Sequence, residues 1–465
     1  MSKELWQMSA VEQARSVKSR QVSARELLAA HLARIAEVNP TVNAVVALDA
    51  SVAETRASEI DEALANGHKV GPLAGLVTAH KDLMDTADFV TTYGSPLFAD
   101  HRPGADALLV DRMKAAGAVA VGKTNTPEFG AGSNTFNPVY GATVNPYDTT
   151  RSAGGSSGGA AVAIRTGMVS LADGSDFGGS LRNPAAWNNV IGFRTTPRVI
   201  PRPGMANPWN PMPIEGPMAR SIDDLVLLLR VMARPSADDP LSRPITLPPI
   251  VSPPTRPLRV AWSSNLGGLP VEPEIVEVLE RFRADIDLLG WEVTEAEPDF
   301  SGADECFVTI RAFSYLERAQ ALGDDVCELK QTVQDEITRG LGLTSSEVSQ
   351  AYGQLGVLWR RAVSFFDRHD LLIAPVTQVS PFPVGWEYPT EINGIAMSSY
   401  IEWMRSCCRI TALGCPALSL PAGFTDAGLP VGAQLIGRPF GDGALLEAAK
   451  ALEATTGHGL KNPVI

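Results

Sequence analysis

Arg151-Ser-Ala-Gly-Gly-Ser-Ser-Gly-Gly159 and Asp176-Phe-Gly-Gly-Ser-Leu-Arg-Asn-Pro184 enclose a stretch that reads as a helix from about Ser157 to Thr166, followed by an apolar run from Val169 to Ala172. A helix, a short apolar run and a glycine-rich loop in that order predict a layered α/β sheet. The glycines have a second consequence. On either side of a serine they let the backbone turn sharply and let its N–H groups approach a ligand, as an exposed nucleophile beside an anion-binding nest requires.

Working outward, the alternation continues. Upstream lie the apolar run Leu76 to Ala79, a helix from Ala105 to Ala116 and a run from Ala118 to Val121. Downstream, Leu258 to Trp262, Leu371 to Ala374, Ala417 to Leu420 and Val431 to Ile436 would extend the sheet. Helical periodicity separates most of them, around Asp223 to Met232, Pro273 to Leu289, Glu347 to Asp367 and Ala444 to Ala454. Residues 1–70 read as a layer of helices, Val11 to Lys18, Ala24 to Glu37 and Ser51 to Asn66, with Ser23 as an N-cap. Eight prolines between Pro235 and Pro257 exclude helix or central strand there, so 235–257 is either a domain boundary or a surface crossover.

Composition excludes several classes. A net charge of -13, from 39 basic and 52 acidic residues, repels phosphate backbones and anionic lipid, so neither nucleic acid nor membrane is expected as a partner. No apolar leader follows Met1 and no stretch approaches a membrane span, which predicts a cytoplasmic protein. Five cysteines without a C-x-x-C pair and six scattered histidines predict reduced thiols and no metal site.

Two motifs mislead. Gly117 to Thr124 satisfies the phosphate-loop pattern, but a helix precedes it and Ala118 to Val121 is itself strand-like, where a phosphate loop must follow a strand. Gly154-x-Ser156-x-Gly158 matches the α/β-hydrolase elbow, yet Asn145 to Thr150 are turn formers, and His369 and His458 stand in polar contexts.

Amide hydrolysis asks for a nucleophile, a base, an acid for the leaving nitrogen and fixed dipoles for the oxyanion. Ser180 follows Phe177-Gly178-Gly179, whose N–H groups could converge beside its hydroxyl. Lys81, in His80-Lys81-Asp82, ends an apolar approach that would carry it inward. A free ammonium has a pKa of about 10.4, and only desolvation leaves a useful neutral fraction at about pH 7 to 8.

Taken together, Lys81, Ser156 and Ser180 resemble the amidase signature family. Ser156 lies 75 residues after Lys81 and 24 before Ser180. The resemblance implies a catalytic trio of lysine (Lys81), a serine in a cis peptide with Gly155 (Ser156) and a nucleophilic serine (Ser180). It also implies an oxyanion hole at Phe177, Gly178 and Gly179. Ser157 then reads as a helix N-cap, and Asp176 and Arg182 as supports of the nucleophile loop. Further similarity lies in Gly71 to Gly75, Asn145 to Asp148, Glu215 to Arg220 and Leu420 to Gly432. Departures fall at Gly192 to Val199 and at His80, where the family commonly has an aliphatic residue.

The same resemblance implies one domain over 1–465, a large mixed twisted sheet flanked by helices on both faces. Its parts are a helical layer (1–70), a catalytic core segment (71–234), a crossover (235–257) and a second half with the pocket loops (258–465). It implies no cofactor, and as partners a small amide substrate and water, leaving room for a homodimer. Met205 to Met212, with Trp209, and Trp386 to Trp403, with Tyr388 and Tyr400, either pack under long loops or line a cleft. In the second case aryl amides, carbamates (urethanes) and esters are the expected substrates. The alternatives are the amidase component of a tRNA-dependent glutamine amidotransferase and a catalytically inactive binding protein.

Overall fold

The computed structural model describes residues 4–248 and 251–465; Met1 of the expected N-terminus and Pro249 of the proline-rich stretch lie outside them. Eleven strands form one sheet. In chain order they are β1 (Val45–Val46), β2 (Val77–Lys81), β3 (Val119–Thr124), β4 (Leu171–Asp176), β5 (Ile191–Arg194), β6 (Ile214–Ala219), β7 (Arg259–Trp262), β8 (Glu292–Glu295), β9 (Leu371–Pro375), β10 (Ala417–Phe424) and β11 (Pro430–Ile436). Their order across the sheet is β1-β3-β2-β4-β6-β5-β10-β11-β9-β7-β8. Pairing is mixed: β2 runs parallel to β3 and β4, whereas β6 is antiparallel to β4 and β5. Antiparallel pairing of β5 with β10 joins the strands before 235–257 to those after it. Among the described residues of 235–257 there is no helix or strand.

Thirteen α-helices surround the sheet among the described residues: α1 (Ala10–Lys18), α2 (Ala24–Val42), α3 (Ala50–Ala65), α4 (Leu108–Ala115), α5 (Gly158–Arg165), α6 (Arg182–Trp187), α7 (Ile222–Met232), α8 (Pro273–Asp287), α9 (Ala303–Leu322), α10 (Gln331–Leu341), α11 (Ser345–Phe366), α12 (Arg405–Leu413) and α13 (Asp442–Thr456). Strand β9 shows why both faces are covered. Alternate residues of a strand point to opposite faces. Leu371 and Ile373 join a core with α7, α8 and α13, while Leu372 and Ala374 join another with α9, α11 and α12. A third core sets Val77, Ala79, Val119 and Val121 against α2, α3 and α5.

Within residues 4–70 lie α1, α2 and α3, and Val45–Val46 pairs with β3 as the edge strand; two residues carry no readable period. Strands β5 and β6 were not expected, because Gly192, Gly216 and Pro217 break a strand pattern. Burial explains them: a Cβ on Gly192 would meet the Leu181 carbonyl oxygen at 2.3 Å, and one on Gly216 the Phe193 carbonyl oxygen at 2.3 Å. Close backbone approach requires glycine at both positions. Among the described residues no helix is long and apolar enough to cross a membrane.

Candidate active site

Lys81 ends β2 on a strand with all five residues buried. Its Nζ donates to Ser156 Oγ at 2.7 Å, to Ser157 Oγ at 3.0 Å and to Ser175 Oγ at 3.0 Å. Among the described residues no carboxylate forms an ion pair with it. Burial pushes its amine down to about 7, against the opposing pull of Asp176 and Asp173. Asp173 fixes the strand end: its carboxylate accepts the Lys81 backbone N–H at 3.1 Å and lies 2.6 Å from His80 Nδ1.

That depressed amine has a consequence for stability. Between a folded pKa of about 7 and an unfolded one near 10.5 the unfolded chain binds the extra proton, so stability rises with pH across that window. Between pH 6 and 9 the wild type should gain about 2–3 kcal/mol relative to Lys81→Met. Paired denaturant titrations at the two pH values measure it, and a pH-independent difference would contradict a neutral buried lysine.

The first glycine–serine segment is held from outside. Gly155 and Ser156 are joined by a cis peptide bond. Ser133 Oγ donates to the Gly155 carbonyl at 2.5 Å and Thr135 Oγ1 to that of Gly154 at 2.7 Å. Ser157 occupies the N-cap position of α5 but makes no capping hydrogen bond; its hydroxyl accepts from Lys81 instead. The expected capping role is therefore corrected. Lysine burial outcompetes the cap because, among the described residues, the hydrogen-bond partners of the Lys81 amine are all hydroxyls.

The second segment is clamped by Asp176, at the end of β4. Its carboxylate receives Arg182 Nη2 at 2.9 Å, Arg182 Nε at 3.0 Å and Arg194 Nη1 at 3.3 Å. It also accepts the backbone N–H groups of Gly179 (2.9 Å) and Leu181 (3.2 Å). Burial drives the Asp176 carboxyl up, but Arg182 and Arg194 outweigh it and hold it below the usual carboxylate range. Removing one charge from such a buried cluster costs about 3–5 kcal/mol. Asp176→Asn should lower unfolding free energy by that amount in a denaturant titration; a change below about 1 kcal/mol would show the clamp to be dispensable.

Because Gly179 already donates to Asp176, among the described residues the backbone N–H groups left without an acceptor in this loop are those of Phe177, Gly178 and Ser180. Ser180 is half-buried. It lines, with Ser156, Ser175, Asp176 and Phe177, a cavity of about 340 Å³. Among the described residues no hydrogen bond joins the Ser156 and Ser180 hydroxyls. Leu83, Met84, Phe129, Met205 and Tyr315 add apolar wall.

Of the two aromatic stretches, the first contributes Met205 and Asn210 to this cavity, but Trp209 is 64% exposed. The second does not line it: Trp386 is 53% exposed, Trp403 stacks on Trp187 in the core, and Tyr400 is buried. Sequence reading missed Ser175, Asp173 and Arg194. It also missed α9, which brings Arg311, Ser314, Tyr315 and Arg318 to the cavity. Spacing of three and four residues was the available signal.

The misleading motifs resolve structurally. Gly122, Lys123 and Thr124 lie within β3, and Lys123 Nζ is buried on the Met84 carbonyl, Thr86 Oγ1 and Thr91 Oγ1. A short strand, Asp148–Ser152, does precede Ser156 where turn formers were expected, but it pairs with Val144–Asn145 outside the main sheet. His369 contacts the Phe365 carbonyl, and His458 pairs with Asp285. Among the described residues no group of three or more His, Cys, Asp or Glu is placed to hold a metal ion.

The fold and its serine–lysine cavity define a class, a hydrolase acting on carbon–nitrogen bonds. The chain belongs to the amidase signature family: the family model described as Amidase matches residues 26–446. It is 34% identical to an acylamidase of Rhodococcus erythropolis, over 98% of this chain and 97% of that one. It is 33% identical to a glutamyl-tRNA(Gln) amidotransferase subunit of Moorella thermoacetica, over 99% of each. The crystal structure of a bacterial aryl acylamidase of the amidase signature family superposes with a TM-score of 0.92 at 27% identity, covering 98% and 99% of the two chains.

Proposed function

We propose that this chain, as one catalytic unit, hydrolyses carboxylic amides through an acyl-enzyme on Ser180, with Ser156 relaying protons to Lys81. The carrying observation is the 2.7 Å contact between a lysine brought down to about 7 and Ser156, at the cavity into which Ser180 opens. Ser180 Oγ forms a bond to the carbonyl carbon as its proton passes to Ser156 and the Ser156 proton to neutral Lys81. The carbonyl π electrons move onto oxygen, where the N–H groups of Phe177, Gly178 and Ser180 are free to receive them. Collapse breaks the C–N bond, and the nitrogen leaves with the proton returned from Lys81 through Ser156. Water then cleaves the acyl ester by the same relay.

The apolar wall of Phe129, Phe177, Tyr315, Met84 and Met205 favours aryl or bulky apolar amides. Carbamates and esters present the same carbonyl geometry to the same groups. The similarity to an amidotransferase component supports a second reading, in which glutamine is the substrate and a partner protein receives ammonia. Assay of the isolated chain on anilides, aryl carbamates and glutamine distinguishes the two. Autonomous anilide or carbamate hydrolysis is expected; glutaminase activity that appears only with a partner and tRNA would favour the second, and inertness toward all three together with no fluorophosphonate adduct would indicate a binding protein.

A further inference from the structure

Helix α9 places Arg311, Ser314, Tyr315 and Arg318, spaced i, i+3, i+4 and i+7, along the side of the cavity, and the three arginines lining that cavity differ in one respect. Arg311 is spent: its Nε donates to Tyr400 Oη at 2.9 Å, its Nη2 to Tyr315 Oη at 3.0 Å, and Glu336 lies 3.7 Å away. Arg202 faces Glu215 at 3.4 Å. Arg318 has no hydrogen-bond acceptor and no ion pair among the described residues; its guanidinium lies 3.8 Å over the Phe129 ring.

A guanidinium is always charged and carries five N–H donors in a fixed fork suited to a carboxylate. Stacking on a ring occupies its face and leaves those edges free. The acids nearby do not take the role. Asp176 is clamped by Arg182 and Arg194, and Asp85 accepts from Tyr93 Oη at 2.6 Å. Glu215 pairs with Arg202, and Glu317 and Glu128 add negative field at Arg318 but, among the described residues, form no ion pair with it. Arg202 adds positive field at Arg318.

Resting on the amidase reading above, we propose that Arg318 forms a carboxylate subsite, so that the substrates are aryl or acyl amides bearing a carboxylate remote from the scissile bond. Phe129 backs the guanidinium at 3.8 Å, and because the Ser314 hydroxyl is committed to the Arg311 carbonyl at 2.6 Å, Arg318 carries the recognition itself. The fork, half-buried, faces the cavity that Ser180 also lines.

The test uses the full chain carrying Ser180→Ala, so that binding is read without turnover. Calorimetry compares N-phenylsuccinamate, with its carboxylate in the acyl half, and 4-acetamidobenzoate, with it in the amine half, against their neutral counterparts butyranilide and acetanilide. A charged bidentate contact is expected to tighten one carboxylated ligand about 10- to 100-fold, and the arm that gains identifies the half. Adding Arg318→Leu should erase that preference and Arg318→Lys restore part of it. A preference that is absent, or that survives Arg318→Leu, overturns the subsite. Failure of the wild type to cleave any of the four while the preference persists would instead overturn the amidase reading and leave the subsite standing.

Discussion

Ser180→Ala should abolish the covalent adduct formed with a fluorophosphonate probe and lower amide turnover on the order of 10^4- to 10^6-fold, the range seen when a serine nucleophile is removed. Intact-mass spectrometry reads the adduct directly. The distinction matters because Ser156, not Ser180, carries the elbow-like glycine spacing and touches Lys81. Were Ser156 the nucleophile, labelling would persist in Ser180→Ala and vanish in Ser156→Ala. The structure motivates Ser180 because Ser156 is buried between Lys81 and the externally braced 154–156 backbone. Ser180 opens to the cavity beside N–H groups without acceptors.

Lys81→Ala should lower turnover about 10^2- to 10^4-fold, the usual weight of general acid–base catalysis, and should also change the pH profile. In the wild type the base must be neutral. With its pKa brought to about 7 by burial, kcat/KM should rise through about pH 7 and level off above it. In Lys81→Ala that limb should disappear. A limb near pH 7 that survives the substitution would contradict Lys81 as the base. Slowed fluorophosphonate labelling of Lys81→Ala at Ser180 is the companion result, since the same base activates the serine toward either electrophile.

Much of this arrangement was legible in local chemistry. The run ending in Lys81, the glycines around Ser156 and those before Ser180 each impose a backbone or solvation requirement that few other residues meet. Strand β9 was readable from its apolar run, and Pro235 to Pro257 from proline's missing donor. Where local signals failed, burial had overridden them. Strands β5 and β6 carry glycine because neighbouring backbones crowd them, and β1 is too short to show a period. Ser157 looked like a cap from its place before a helix, yet a lysine amine 76 residues away claims its hydroxyl.

The sequence by itself determined the family, the layered α/β class and the residues expected to carry the chemistry, because each depends on contacts and conformations within a few residues. Tertiary structure alone decided what surrounds them. Among the described residues the hydrogen-bond partners of the Lys81 amine are all hydroxyls, Asp176 takes the Gly179 N–H, and the wall is built by Phe129 and α9 rather than by Trp386 to Trp403. Desolvation and pocket shape are sums over groups distant in the chain, and no local pattern encodes which of them meet.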